Sequence, residues 1–551
     1  MIRLLGALCL LLVLAQDVSG QDQPGGEARE WATPGEQRGW FAPTTPYEMG
    51  EYLAGLAGSF ESVVLDTLAW VDGGSVEPDS ALPVLLVEVR RPPLVDRDRV
   101  RVLVLAGQRG DEISGLEVSL QVVRELVLGE IGDMLDELEI ALVPAANPWG
   151  LLWWISDEPS GVDPTRDHVL LRSAATKAVH ELVSRWKPHL IVELRETGPA
   201  VYRVQAGLPK HPNVDPELAN HGRFYLLPHV ANELARASVT FREYVAVGPE
   251  SESRRTPLSG AEGLPEGGYF TPGPLGADRA ANAFSLRGGL SIMLAVASLK
   301  GAEGLPERVQ VLYQSLGNLL EVAAAQGGGL RERAEAAQWA RSPEVGGSDG
   351  DTPPALSLRH VYERDARHPD LVWLVWNDRG QIVQQSTDRW RSVVRRQLVL
   401  PVPAAWVIEP AGREWAKLVA SHGFTVERLG REERMEVGSY PIGAIAGLPP
   451  DLADDLPLDS APDGSNLLVR GERTFPEGAW IVRADQPGTR LLFSLIEPWS
   501  QDAPLGRETA PGESPVGSVT YPVHRIEAEE SIGSLRTEPA ELGPARASGD
   551  D

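Results

Sequence analysis

Arg109, Asp111 and Glu112 occupy one turn of the sequence, directly after a strand-like apolar run over residues 100–106. A helix-like pattern over residues 116–128 follows, so the turn would lie at the carboxyl end of a buried strand, where α/β proteins place their functional sites. A glutamate carboxylate can bind a metal ion. An arginine side chain stays protonated and only donates hydrogen bonds. The turn therefore offers one metal ligand, Glu112, beside a fixed positive charge.

This turn resembles the metal-binding turn of the zinc carboxypeptidases. In that family a histidine and a glutamate, three residues apart, hold zinc at the carboxyl end of a strand. Here Gly107, Gln108, Gly110 and Glu112 match the family pattern, and Arg109 occupies the histidine position. The resemblance implies a zinc site of which this turn keeps one ligand.

Two further segments carry the resemblance and depart from it at the residues that do chemistry. Residues 188–196 are similar to the segment that supplies the family's third zinc ligand, a histidine, and Arg195 stands at that position. Residues 282–296 are similar to the final strand, where the family's general base is a glutamate and this chain has Ala295. Catalytic zinc needs three protein ligands, and activating water needs a base within reach. The sequence thus predicts that zinc is not bound and that no catalytic residue is retained.

Arg166 is the predicted substrate-binding residue. Residues 163–167 resemble the family segment Asp-x-Asn-Arg-Asp, with Thr165 in place of asparagine, and the resemblance implies that the arginine grips the substrate's terminal carboxylate. A guanidinium fork suits a carboxylate well. The alternative is that Arg166 serves only as a buried ion-pair partner.

The two arginines at histidine positions suggest a more specific hypothesis. If the fold is kept, Arg109 and Arg195 would flank Glu112 and leave one net positive charge, which would make the site a trap for carboxylates. His168, next to the Arg166 segment, would lie near it. The plainer alternative is that the cluster is a structural salt bridge, with Glu112 simply paired to an arginine.

The order of elements predicts an α/β fold. Strand-like runs over residues 82–89, 100–106 and 138–144 alternate with helical patterns, which favours a mixed, mostly parallel sheet with helices on both faces. A smaller C-terminal mixed α/β domain would follow, loosely similar to the accessory domain of large secreted bacterial zinc carboxypeptidases. We also expect an amphipathic helix over residues 47–70.

The predicted domain boundaries follow composition. We expect a signal peptide over residues 1–20, a loosely packed lead-in over 21–46, the carboxypeptidase-like domain with trailing helices over 47–341, a linker over 342–354, the accessory domain over 355–526 and a disordered acidic tail over 527–551. The apolar run over residues 4–14 is short for a membrane span, which predicts a secreted or periplasmic protein without one.

Charge and cysteine content narrow the function. The formal net charge of −27 argues against nucleic acid as a partner, and the single cysteine lies within the predicted signal peptide, so thiolate metal sites are excluded from the mature protein. The predicted function is that of a pseudoenzyme that binds peptide or peptidoglycan carboxyl termini, or a scaffold. The alternative is an active zinc metallocarboxypeptidase that uses other ligands.

Overall fold

A computed structural model describes residues 31–91 (except 75, 76 and 78), 98–248, 268–298, 303–339, 355–441 (except 378), 468–504 and 520–542 (except 529, 534 and 541). The predicted signal peptide and the predicted linker lie outside the described residues. Within the described residues, no helix combines the length and the apolar character needed to cross a membrane.

Residues 31–339 form the first region of the structure. Its helices are α1 (Pro34–Gln37), α2 (Pro46–Ser59), α3 (Ser114–Leu128), α4 (Pro148–Trp153), α5 (Ala174–Trp186), α6 (Pro216–His221), α7 (Leu227–Arg236), α8 (Ala280–Leu286), α9 (Leu305–Ala325) and α10 (Gly327–Ala337). Its strands are β1 (Val63–Asp72), β2 (Ala81–Val89), β3 (Val100–Leu105), β4 (Leu138–Val143), β5 (Leu190–Thr197), β6 (Val204–Gly207), β7 (Phe241–Glu243), β8 (Ala246–Gly248), β9 (Tyr269–Thr271) and β10 (Leu290–Ala297).

An eight-stranded sheet in the order β1-β2-β4-β3-β5-β10-β6-β7 is the centre of this region. Its middle strands β4, β3, β5 and β10 are parallel to one another, and β1 and β2 run antiparallel to their neighbours. At the other edge β6 is antiparallel to β10 and parallel to β7. Alternate residues of β3 point to opposite faces. Val102 and Val104 pack in a core with α3 and α9, whereas Leu103 and Leu105 pack in a second core with α5 and α8. The predicted fold class is confirmed.

Two local predictions in this region are wrong. Residues 31–46 are packed rather than loose, because Thr33 caps α1 and the buried carboxylate of Glu117 accepts hydrogen bonds from Thr44. The helix expected over residues 47–70 ends at Ser59, and β1 follows it. Val64 belongs to that edge strand. Its spacing from the apolar residues of α2 is the same as in a helix, which explains the wrong prediction.

Residues 355–542 form the second region. Its strands are β11 (Ala355–Glu363), β12 (Leu371–Trp376), β13 (Ile382–Thr387), β14 (Val393–Pro401), β15 (Ala405–Ile408), β16 (Glu427–Leu429), β17 (Glu433–Pro441), β18 (Val469–Phe475), β19 (Trp480–Arg483), β20 (Thr520–Ile526) and β21 (Thr537–Pro539), and its helices are α11 (Arg413–Ser421), α12 (Thr489–Ile496) and α13 (Glu530–Gly533). Seven strands form an antiparallel sheet in the order β18-β17-β20-β15-β19-β16-β21.

Strand β21 corrects the prediction of a disordered tail over residues 527–551 as far as residue 542, and residues 543–551 lie outside the described residues. It pairs with β16 through three residues, and Ile532 of α13 is buried in the core below. This stretch therefore has tertiary contacts, although its composition is acidic.

The two regions share one hydrophobic core. Val169 and Leu286 of the first region belong to the same buried cluster as Trp406 and Phe493 of the second. At a separate place, hairpin β12–β13 packs on β9, where the rings of Phe270 and Trp373 are 5.4 Å apart.

The approach of Gly110 to Gly150 fixes the turn after β3 against the start of α4. A Cβ atom on Gly110 would lie 1.9 Å from the carbonyl carbon of Gly150. We expect Gly110→Ala to lower the free energy of unfolding by about 2 kcal/mol, in the range of an overpacked core. Urea denaturation measures it. Gly317→Ala in α9 is the control, because nothing lies within 4 Å of its added methyl group. Equal stability of both variants would contradict the close contact.

Candidate functional site

The candidate site is a cavity of about 300 Å³ at the carboxyl ends of β3, β5 and β10. These strands are parallel neighbours, so the residues that end them meet at one edge of the sheet. Arg109 and Glu112 enter from the turn after β3, and Arg195 and Ala295 are paired across β5 and β10. All four line the cavity together with Arg166, so the structure brings together every residue that the sequence analysis assigned to the site.

The ion pair of Arg195 with Glu112 occupies the centre of the site. Arg195 donates two hydrogen bonds to the two carboxylate oxygens, from Nε at 2.7 Å and from a terminal nitrogen at 3.3 Å. The backbone N–H of Glu196 donates a further bond of 3.2 Å to Oε2 of Glu112. Burial opposes the charge on Arg195, but nearby carboxylates, with Glu112 foremost, more than offset this and raise the pKa of Arg195 above its ordinary value. Arg195 is therefore held as a cation.

Arg109 makes contacts with three carboxylates. Its nitrogens lie 3.3 Å from Asp163, 3.4 Å from Glu112 and 3.5 Å from Asp111. Burial opposes ionisation of Asp163, but a hydrogen bond from Thr165 and the charge of Arg109 keep the pKa of Asp163 below its usual value. The predicted surplus of one positive charge is wrong, because Asp163 and Asp111 join the cluster that the sequence analysis limited to Glu112.

These residues do not fit zinc. Glu112 is the one metal-binding side chain at the family's ligand positions, and both of its oxygens already accept hydrogen bonds from Arg195. Arg109 and Arg195 offer only donors, and two guanidinium ions repel a cation. At the position of the general base, Ala295 offers no polar atom.

A second pair of guanidinium groups lines the cavity. Arg166, in a short 3₁₀ turn (Pro164–Arg166), and Arg279, just before α8, each lie 3.9 Å from the same oxygen of Asp278. They are more exposed than the central pair, at 35% and 24% of the side chain. Thr165, at the position of the family's asparagine, donates its hydroxyl to Asp163. Arg166 thus lies in the cavity with a second arginine as its neighbour.

His168 lies beneath the cavity and does not line it. Its Nε2 is 3.0 Å from Oε1 of Gln108, and its Nδ1 is 3.0 Å from Nε2 of His180. Burial lowers the pKa of His168 to about 3, so the ring is neutral. Gln108 in turn donates to Glu193 at 3.3 Å, which links the buried imidazoles to the cavity floor.

One other group of side chains within the described residues has the composition of a metal site. His211, His360 and Asp502 bring three ligand atoms within 4.8 Å of one another. They are buried between the two regions and do not line the cavity. Nδ1 of His211 accepts a hydrogen bond from the backbone N–H of Asn213, so its Nε2 carries the proton and donates to Asp502 at 2.9 Å. In a metal-binding histidine, the ring nitrogen that does not hold the metal donates a hydrogen bond. Nδ1 of His211 accepts one instead.

Several residues of the site were missed from the sequence. Glu193 could have been found, because it lies two residues before Arg195 on a strand and must share its face. Asp163 belongs to the Arg166 segment, but its contact with Arg109 joins residues 54 positions apart in the chain. Gln205 and Arg279 also line the cavity, but neither belongs to a sequence motif that would have indicated it.

Over part of its length, the chain is similar in sequence to carboxypeptidases. Relatives by sequence include probable carboxypeptidase 2 of Trichophyton verrucosum, 23% identical over 169 residues, and probable carboxypeptidase 2 of Arthroderma benhamiae, 24% identical over the same length. Both alignments cover 28% of this chain and 33% and 32% of the relatives, so the chain matches about a third of the length of these proteins. No family model matches the chain.

Among solved structures, the chain is similar to a metallo-carboxypeptidase from Burkholderia cenocepacia (13% identity, TM-score 0.38) and to one from Pseudomonas aeruginosa (20% identity, TM-score 0.37). The alignments cover 52% and 53% of this chain and 71% of each of those chains. Because these identities and TM-scores are low, the resemblance to the family depends on the sequence relatives and on the motifs.

The central ion pair gives a stability prediction. Glu112→Leu leaves Arg109 and Arg195 buried without their shared carboxylate, and we expect a loss of about 3 kcal/mol in the free energy of unfolding. Glu472→Ala is the control, because Glu472 and Arg434 form a 2.6 Å pair that is largely exposed. Such a pair contributes about 1 kcal/mol or less. Similar small losses in both variants, measured by urea denaturation, would contradict a central role for Glu112.

Proposed function

We propose that this protein is a non-catalytic member of the carboxypeptidase-like proteins that binds peptides by their free carboxyl termini. One observation carries the proposal: Arg195 holds both oxygens of Glu112, so the family's metal position contains an ion pair. The absence of a base at Ala295 agrees with it. Carboxyl termini of proteins and of peptidoglycan stem peptides have the same chemistry and are both candidate ligands.

Arg166 would hold the carboxylate, with Arg279 beside it. Both line the cavity, both are partly exposed, and each is within 3.9 Å of Asp278, which orients them. A carboxylate entering the cavity would accept charge-assisted hydrogen bonds from the guanidinium fork of Arg166. With no nucleophile activated among the described residues that line the cavity, the bound peptide would remain intact.

We propose further that the protein is exported, to the periplasm or the medium. The observation is the apolar run over residues 4–14, followed by small residues near Gly20. A mature amino terminus near residue 21 in exported material would support this address, and an intact Met1 would contradict it.

Metal content separates the proposal from its alternative, a working metallocarboxypeptidase with other ligands. We expect the purified mature protein, after incubation with excess zinc and dialysis, to contain far less than one zinc per chain by mass spectrometry. The matched variant Arg109→His with Arg195→His restores two ligands beside Glu112, and we expect it to take up zinc. About one tightly held zinc per wild-type chain would overturn the proposal and make peptide hydrolysis the next assay.

Peptide affinity tests the role of Arg166. We expect Arg166→Ala to weaken binding of a peptide with a free carboxyl terminus about tenfold or more, since a hydrogen bond to a charged group contributes about 1.5–3 kcal/mol. Isothermal titration calorimetry measures it, and the amidated peptide should bind weakly to both forms. Arg185→Ala is the control, because Arg185 is exposed on α5 and does not line the cavity. Unchanged affinity in Arg166→Ala would remove this residue from the site.

A further inference from the structure

A smaller cavity, of about 170 Å³, lies at the amino ends of β5 and β10, opposite to the candidate site. Pro188 and Gly289, which line this small cavity, come just before the two strands. Both regions contribute to its walls, Arg287 from the first and Gly423 and Gln486 from the second. Pockets for drug-sized ligands measure about 300–1,000 Å³, so this one suits a smaller ligand.

Arg287 is a buried cation for which the described residues provide no hydrogen-bond partner at two of its nitrogens. The residue is 8% exposed, and its Nε and Nη2 atoms are buried without an acceptor. The ring of Phe424 lies 4.5 Å from Cζ and attracts the charge, but it offers no oxygen to the N–H groups. Burial lowers the pKa of Arg287 to about 10, which shows that its charge is not compensated.

The two unpartnered nitrogens of Arg287 define the shape of the missing acceptor. Nε and Nη2 lie on the same edge of the guanidinium plane, and their N–H groups form a fork that matches two oxygens of one carboxylate or phosphate. Buried donors without acceptors are costly, so this edge indicates a ligand that supplies both oxygens.

The charge of the small cavity favours phosphate over a carboxylate. Lys187, which is exposed, also lines it, and its described lining residues include no aspartate or glutamate. Ser184 and Gln338 add a hydroxyl and an amide to the wall. A phosphate group carries about two negative charges at neutral pH and has oxygens to spare beyond the two that one fork binds. Two cations without an acidic residue match that charge.

We infer that the small cavity binds a phosphate group, either as the free ion or at the end of a small phosphomonoester. Nε and Nη2 of Arg287 donate to two of its oxygens, and the ammonium group of Lys187 balances the second charge. Because residues of both regions line the cavity, bound phosphate adds contacts across their boundary. This site is independent of the proposed function, since the peptide cavity lies at the other end of the strands.

Isothermal titration calorimetry of the full chain with inorganic phosphate, in Tris chloride at constant ionic strength, tests the inference. We expect saturable binding, and we expect Arg287→Met, which keeps a straight stem, to weaken it about tenfold or more. Lys187→Met should also weaken binding, and it tests the site at an exposed position where folding is not at risk. Arg185→Met is the control for net charge, because Arg185 is exposed on α5 and does not line the small cavity.

Urea denaturation provides a readout that a purely structural arginine would not give. Without phosphate, we expect Arg287→Met to unfold at the same or a higher urea concentration than the wild type, because it removes an unpaired buried charge. Phosphate should stabilise the wild type beyond the general effect of this salt, which the variant shares.

Equal phosphate affinity in the wild type and both cavity variants would overturn the inference. So would a loss of stability in Arg287→Met that is the same with and without phosphate, or acetate binding as tight as phosphate binding. Glycerol phosphate distinguishes the two sources of the group: competition with phosphate supports a phosphomonoester, and its absence supports the free ion.

Discussion

The pairing of Glu112 with Arg195 is the interaction on which the site depends. It joins the turn after β3 to the end of β5, and Arg109 extends it to the segment that precedes Arg166. Three separate stretches of chain are held together by charge where the zinc carboxypeptidases use a metal ion. Buried ions are expensive to desolvate, and this cluster is tolerable because backbone N–H groups and several carboxylates complete its hydrogen bonds.

The edge of the sheet where the site lies could be predicted from the sequence, because strand-like runs that end in polar turns bring those turns together in any parallel sheet. Arg109, Glu112, Arg195 and Ala295 line one cavity for this reason. The sign of the local charge could not be predicted. It depends on how Asp163, 51 residues after Glu112 in the chain, packs against the turn, and periodicity carries no information about such a contact.

Outside the site, two predictions made from local sequence patterns were wrong for another reason. The spacing of Val64 and its neighbours fits a helix and an edge strand equally well, and only pairing with β2 decides between them. In the stretch after residue 527, one buried isoleucine and three paired residues outweigh an acidic composition. Tertiary contacts decide both cases.

The contact of hairpin β12–β13 with β9 has a consequence for how specificity could evolve. Pro272 and Gly273, which line the cavity, directly follow β9, and the second region supports that strand through Trp373. Substitutions in the second region can thus reshape the cavity without touching its polar residues. Selection for new ligands could therefore act on the second region, which contributes none of the charged residues that line the cavity. The buried ion cluster would stay unaltered while the cavity walls change.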